Sequence, residues 1–288
     1  MTSTQFLNRE EYPFASHYLK VNGHDLHYID EGQGHVLLFV HGTPSWSFDF
    51  RYQIKALSKH YRCIALDHIG FGLSDKPEHY DYSTPNHALT LQKLITHLDL
   101  KEITLIVHDF GGVIGFDYAL QHPTNIHKVV VLNSWLWSAE KEPEYQKMKP
   151  ILKSPLLPLL YRYINFSPRF ILPNSFYNKK LLSADIKKQY TKPFAKPTER
   201  NGTLAFAKSL LNDQGYFESL WQKIHFLADK EVLFIWGMND TVILPKYLEK
   251  FASAFPKNQT VRLYSCGHFP QEEKKEEVLQ AIEAFLRN

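Results

Sequence analysis

Short runs of consecutive apolar residues recur along the chain: "HVLLFV", "RCIALD", "ITLIVH" and "KVVVLN" in the first half, then "EVLFIWG" and "TVRLYSCG" towards the end. A strand with one wet face alternates polar and apolar residues. Unbroken Val/Ile/Leu runs of this length instead predict a parallel sheet covered by helices on both faces. Ahead of them, "HYLKVNGHDLHYIDEGQG" places half-alternating segments on either side of an Asn-Gly pair, which predicts an antiparallel hairpin. The last stretch, "PQEEKKEEVLQAIEAFLRN", opens on Pro and acids and brings Val278, Ala281, Ile282, Phe285 and Leu286 to one helical face. That helix is expected to pack on the sheet.

Between Trp137 and about Tyr216 the strand signal disappears. The chain becomes rich in Pro, Tyr and Lys, with helical stretches such as "LLSADIKKQY" and "ERNGTLAFAKSLL". Because strand patterns resume afterwards and need the earlier ones to complete a sheet, this segment reads as an inserted lid rather than a separate domain. The expected fold class is α/β, a mostly parallel central sheet with helices on both faces and an inserted helical cap. The core is assigned to 1–137 and 217–288 and the cap to 138–216, at the edge of the sheet where open α/β folds bind ligands.

Composition narrows the class. A chain of 288 residues, 44% hydrophobic and 22% charged, buries a large core. The formal charge is only +3, and the lysines are scattered or interleaved with glutamates, as in "QEEKKEEV". No nucleic-acid or membrane partner is therefore expected. Two cysteines, Cys63 and Cys266, read as free thiols of a reducing compartment. Neither the N-terminal "MTSTQFLNREEYPFASHYL" nor any later segment shows a targeting or membrane-spanning run, so the expectation is a cytoplasmic protein. Oligomeric state is not legible.

Chemistry concentrates at the strand ends. In "LIVHDFGGVIGF" an acid, Asp109, stands between an apolar run and two glycines. Asp109 could simply cap the following helix, but strand, tight turn and helix in this order also form a nucleophile elbow, with a carboxylate where a serine is usual. Gly111 and Gly112 suit a turn in which a side chain would obstruct. Downstream, "FIWGMNDTVILP" ends a strand with Asp240 and "RLYSCGHFP" ends the last with His268, giving the order nucleophile, acid, base. Asn133, after "VVVLN", cannot ionise and is not the acid. Upstream, "FVHGTPSWSF" can aim the Thr43 amide at the same point as the Phe110 amide. Two such donors would form an oxyanion hole, each worth about 3 kcal/mol in the transition state. His41, Asp67 and Ser74 read as loop scaffold.

"HGTPSWSF", "DHIGFGLSDKP", "VHDFGG", "WGMND" and "GHF" together resemble the α/β-hydrolase superfamily, and within it the branch with an aspartate nucleophile, the haloalkane dehalogenases and epoxide hydrolases. The resemblance runs through nearly all of the chain outside the lid. It implies a cofactor-free, metal-free hydrolase: Asp109 attacks a saturated carbon of a small apolar haloalkane, and His268, oriented by Asp240, activates water against the alkyl ester. A carboxylate nucleophile suits this chemistry, since attack on an ester would leave a labile anhydride. Epoxide hydrolysis is the nearest alternative and needs a lid tyrosine such as Tyr145, Tyr161, Tyr163 or Tyr177. The lid pattern favours the dehalogenase, because Phe206 and Ala207 stand about where epoxide hydrolases place one. A ligand-binding or luciferase-like role on the same scaffold is a third reading. The chain departs from dehalogenases after the nucleophile, where a Trp usually holds the halide and Phe110 has no donor. Thr43 replaces a usual Asn. Trp46, Trp135, Trp137, Tyr177 and Asn178 are the substitute candidates for leaving-group contact. The elbow lacks the arginines with which fluoroacetate dehalogenases grip a carboxylate, which argues against haloacids.

Overall fold

The apolar runs form one eight-stranded sheet in the order β1-β2-β4-β3-β5-β6-β7-β8, seen in a computed structural model that describes residues 6–287. Residues 1–5 of the N-terminal stretch and residue 288 lie outside the described residues. The hairpin is β1 (His17–Val21) and β2 (His24–Glu31), turning at Asn22-Gly23 with φ of 52° and 85°. These are the left-handed values that an Asn-Gly turn supplies at low cost. β3 (Val36–Val40) is followed by α1 (Arg51–Leu57) and β4 (Arg62–Leu66), then α2 (Thr84–His97), β5 (Ile103–His108), α3 (Phe110–Gln121) and β6 (Ile126–Leu132). β2 meets β4 antiparallel, and every pairing from β4 through β3 to β8 is parallel.

Alternate residues of each strand point to opposite faces, and each face has its own helical cover. Leu38, Val40, Leu105, Val107, Val129, Val131 and Phe234 join the cluster beneath α2 and α3. Leu37, Phe39, Ile106, Val130, Leu233 and Ile235 join the opposite one, with Ile54 of α1 and Val278, Ile282 and Phe285 of the last helix. Full burial of each such side chain contributes roughly 1.5–3 kcal/mol. Both cysteines are buried and unpaired.

Between β6 and β7 (Glu231–Gly237) the described chain forms no strand. It carries α4 (Pro143–Lys153), α5 (Leu157–Ile164), α6 (Leu172–Ser175), α7 (Ala184–Thr191), α8 (Asn201–Asn212) and α9 (Gln214–Gln222), with a small apolar cluster of its own. Ser183 starts α7 by accepting the Ile186 N–H at 3.2 Å. After β7 come α10 (Lys246–Ala252), β8 (Asn258–Leu263), α11 (Pro270–Glu273) and α12 (Lys275–Arg287). The C-terminal helix expected as one piece is thus broken at Lys274. Two of its opening acids are turned to the interior. Glu272 is buried against Arg51, and Glu273 turns inward to accept the Gly267 and Asn178 amides at 2.7 and 2.9 Å. Those bonds hold the loop that leaves β8.

β3 is flanked by β4 on one side and β5 on the other, so the chain switches direction across the sheet there. The crevice beyond the strand ends at such a point is where open α/β sheets receive ligands. Close approach of α3 to that point requires Gly111, because a Cβ would overlap the Val40 carbonyl oxygen. Gly111→Ala is expected to lower stability by about 1–3 kcal/mol, the usual range for overpacking a tight site, read as a lower urea midpoint with unchanged slope.

Candidate active site

β5 delivers Asp109 into the turn before α3 with φ 52° and ψ −128°, a strained conformation for a side-chain-bearing residue that costs on the order of 1–3 kcal/mol. Surrounding hydrogen bonds hold it there. The Asp109 N–H donates to the Asn133 carbonyl at 3.2 Å, and its carbonyl accepts from the Gly112 N–H at 3.0 Å and the Ser134 hydroxyl at 2.7 Å. The carboxylate is turned out of the core and towards the β3 loop, where Oδ1 accepts the Thr43 N–H at 2.8 Å. Gly42 leaves room for it, since a Cβ would collide with the Asp109 side chain. Asp109 is only 4% exposed.

The loop after β8 brings His268 Nε2 to 3.5 Å from Asp109 Oδ2, while Nδ1 lies 2.8 Å from Asp240 Oδ2. Asp240 is itself saturated with donors. Asn133 Nδ2 donates to Oδ2 at 2.7 Å, and the Val242 and Ile243 amides donate to Oδ1 at 2.7 and 3.0 Å. Asn133 is therefore a support of the acid, a role its position in the sequence did not reveal. Burial works against a charge on His268, but the Asp240 and Asp109 carboxylates on either side overcome it and push its pKa up to about 10.

Behind His268 lies a second buried polar group that sequence reading missed. His108 Nε2 donates to the His268 carbonyl at 2.7 Å, and its Nδ1 faces Asp49 Oδ2 at 3.4 Å. Asp49 also accepts Tyr190 Oη–H at 2.9 Å and Gln271 Nε2 at 2.8 Å. Burial would raise the Asp49 pKa, yet His108, Gln271 and Tyr190 hold it below the usual carboxylate value. These partners come from β5, from the loop after β3, from α7 and from α11. The network ties the candidate base to the helical insertion.

Phe110, the next residue along the chain, packs among aromatic rings. The Phe110 ring lies parallel to Phe206 of α8 at 4.5 Å between centroids and meets Trp135 edge-on at 4.8 Å. Phe110 N–H opens α3, among the amides that lack partners within a helix's first turn. Of the candidates for leaving-group contact, Trp135 alone touches Phe110. Trp46 spends its Nε1–H on the Gln189 carbonyl at 3.0 Å. Trp137 packs against Trp221, Tyr247 and Phe251. Tyr177 is 55% exposed, and Asn178 uses its side chain to accept the Lys180 amide.

Residues 35–275 match the family described as alpha/beta hydrolase fold. The chain is 36% identical over 284 residues to a cis-3-alkyl-4-alkyloxetan-2-one decarboxylase of Shewanella oneidensis, covering 95% of this chain and 89% of that protein. It is 30% identical over 275 residues to haloalkane dehalogenase 2 of Mycobacterium bovis, covering 94% of each. A crystal structure of a putative ancestral haloalkane dehalogenase superposes with a TM-score of 0.85 at 25% identity, over 94% of this chain and 98% of that one.

The raised pKa of His268 has a consequence for stability. A group whose pKa rises on folding stabilises fully below its unfolded value, here 6.5, and the contribution is lost as pH climbs through about 10. Unfolding free energy of the unaltered protein is expected to fall across this window more steeply than that of His268→Gln. Urea titrations of both proteins at intervals of pH check the difference.

Proposed function

The chain belongs to the alpha/beta hydrolase fold family, and we propose that within it the Asp109 carboxylate attacks a saturated carbon of a 3,4-dialkyl oxetan-2-one, expelling the ring oxygen as a carboxylate. The observation that carries this reading is the side chain beside the nucleophile. Phe110 has no donor, and its ring is held against Phe206. A halide leaving into that wall forgoes a charge-assisted hydrogen bond worth about 1.5–3 kcal/mol. A departing carboxylate spreads its charge over two oxygens and is driven by relief of the four-membered ring. The 36% identical oxetan-2-one decarboxylase supports the same substrate class.

The steps balance without water. The Asp109 oxygen not held by Thr43 bonds to C4 as C4–O1 breaks, and the electron pair passes to O1. The product is an Asp109 alkyl ester with a free carboxylate on the neighbouring carbon. The C2–C3 bond then breaks and its pair becomes the C3=C4 double bond. The C4–oxygen bond returns its pair to Asp109, and carbon dioxide and an alkene depart. Inversion at C4 followed by anti fragmentation converts a cis lactone into a cis alkene.

Hydrolysis of a carbon-halogen bond is the second reading, supported by the haloalkane dehalogenase relatives and by His268, which the fragmentation does not use. There, water adds to the ester carbonyl, His268 takes its proton, and the Thr43 and Phe110 amides hold the oxyanion until an alcohol leaves and Asp109 is restored. Epoxide opening has less support. Tyr145 and Tyr161 belong to the separate apolar cluster of the insertion, and Tyr163 and Tyr177 are exposed.

The test offers a cis-3,4-dialkyl oxetan-2-one, a 1-bromoalkane and an epoxide of matched length, with alkene, bromide and diol measured by chromatography. Alkene is the expected product, and Asp109→Ala abolishes it. Phe110→Trp supplies the missing donor and should raise bromide release by about ten- to a hundredfold. Bromide release by the unaltered protein without any alkene would replace the first reading with the second.

A further inference from the structure

We propose that the outward face of α4 and α5, continued through Leu181, is a docking surface for an anionic lipid bilayer. Between Glu144 and Asp185 the chain has seven bases, Lys147, Lys149, Lys153, Arg162, Arg169, Lys179 and Lys180, and no acid. The whole chain carries 33 bases and 30 acids, so everything outside this segment is net negative by four. The charge of the protein is thus polarised onto one part of the insertion. Read along the sequence these lysines look dispersed, which led to the expectation of no membrane partner. In the fold six of the seven are exposed and Lys149 is half-buried.

The same segment gathers exposed apolar side chains. Fifteen large hydrophobic residues are exposed among the described residues, and ten of them fall between Met148 and Leu181. On α5, Leu157 and Tyr161 are buried one turn apart, in the cluster with Leu204 and Ala207 of α8. Leu156, Leu159, Leu160 and Tyr163 are left on the opposite side at helical spacing, and Ile151 of α4 adds to them at 60% exposed. A soluble surface seldom leaves so many large apolar residues together without a partner. Among the described residues no helix is long and apolar enough to cross a membrane. Short helices with an apolar outer stripe and flanking bases lie in the interface instead, with Tyr at headgroup level.

Charge selects the occupant. A second copy docking by two-fold symmetry would oppose this basic face to itself. An anionic leaflet is complementary both to the bases and to the apolar stripe. Beneath the stripe, α8 carries Phe206 against Phe110, so docking would set the cover of the site against the phase in which long-chain apolar compounds dissolve. The inference holds whichever leaving group the site handles.

Sedimentation of the full chain with large vesicles tests it, using phosphatidylcholine alone and phosphatidylcholine with about 30% phosphatidylglycerol at low salt. Binding to the anionic vesicles is expected to be at least about tenfold tighter and to weaken as sodium chloride is raised. Leu159→Ser with Tyr163→Ser, and separately Lys147→Glu with Lys153→Glu, should each weaken it while circular dichroism stays unchanged. The proposal is overturned by absence of binding to anionic vesicles, by equal binding to both compositions, or by variants that bind as the unaltered protein does. It is also overturned if analytical ultracentrifugation shows self-association that the same variants abolish, since the face would then cover a second copy.

Discussion

The contact on which the arrangement at this edge of the sheet depends is the pair of carboxylates that share one imidazole, Asp109 at 3.5 Å and Asp240 at 2.8 Å from His268. All three side chains are almost wholly removed from water. An anion left alone in such a place would take up a proton or turn outward. Each carboxylate is instead met by fixed donors: the Thr43 amide for Asp109, and Asn133 with the Val242 and Ile243 amides for Asp240. The strained turn at Asp109, the lack of a side chain at Gly42 and the buried bonds of Glu273 make sense as the means of holding these side chains in position.

That arrangement was partly legible in the sequence, for a physical reason. Asp109, Asp240 and His268 each follow an apolar run, and a run buried in a parallel sheet determines where its end emerges. Three strand ends on one edge bring three side chains together without any knowledge of loop geometry. The supports were not legible. Asn133 was passed over because it cannot ionise, although an amide that cannot ionise suits a residue that must donate to a carboxylate. The His108, Asp49, Tyr190 and Gln271 group draws on four separated segments whose meeting is set by helix packing and leaves no local pattern. Glu272 and Glu273 sit in a charged run with no local sign of burial, yet one pairs with buried Arg51 and the other closes a loop. The exposed apolar side of α5 was not legible either, because packing against α8 decides which side of so short a helix faces water.

Aromatic packing beside Asp109 sets a further constraint. Phe110, the residue after Asp109, is stacked on Phe206, and neither ring carries a hydrogen-bond donor. The same wall offers nothing to an anion that forms against it. In the proposed reaction the leaving group must carry its own stabilisation, and a carboxylate released from a strained ring does so where a halide does not.

Electrostatics also orders the steps whenever water is used. While Asp109 is charged, the carboxylates on both sides of His268 favour its protonated form. Joining Asp109 to carbon removes one of the two anions and weakens the hold on that proton. In the proposed hydrolysis the ring would therefore become a better base once the ester had formed. If the ester carries a neighbouring carboxylate, a new anion arrives as the old one disappears. His268 then remains an imidazolium, hydrolysis stays disfavoured, and the ester is left to fragment. The charge on the substrate, rather than any change in the protein, would then decide between hydrolysis and loss of carbon dioxide.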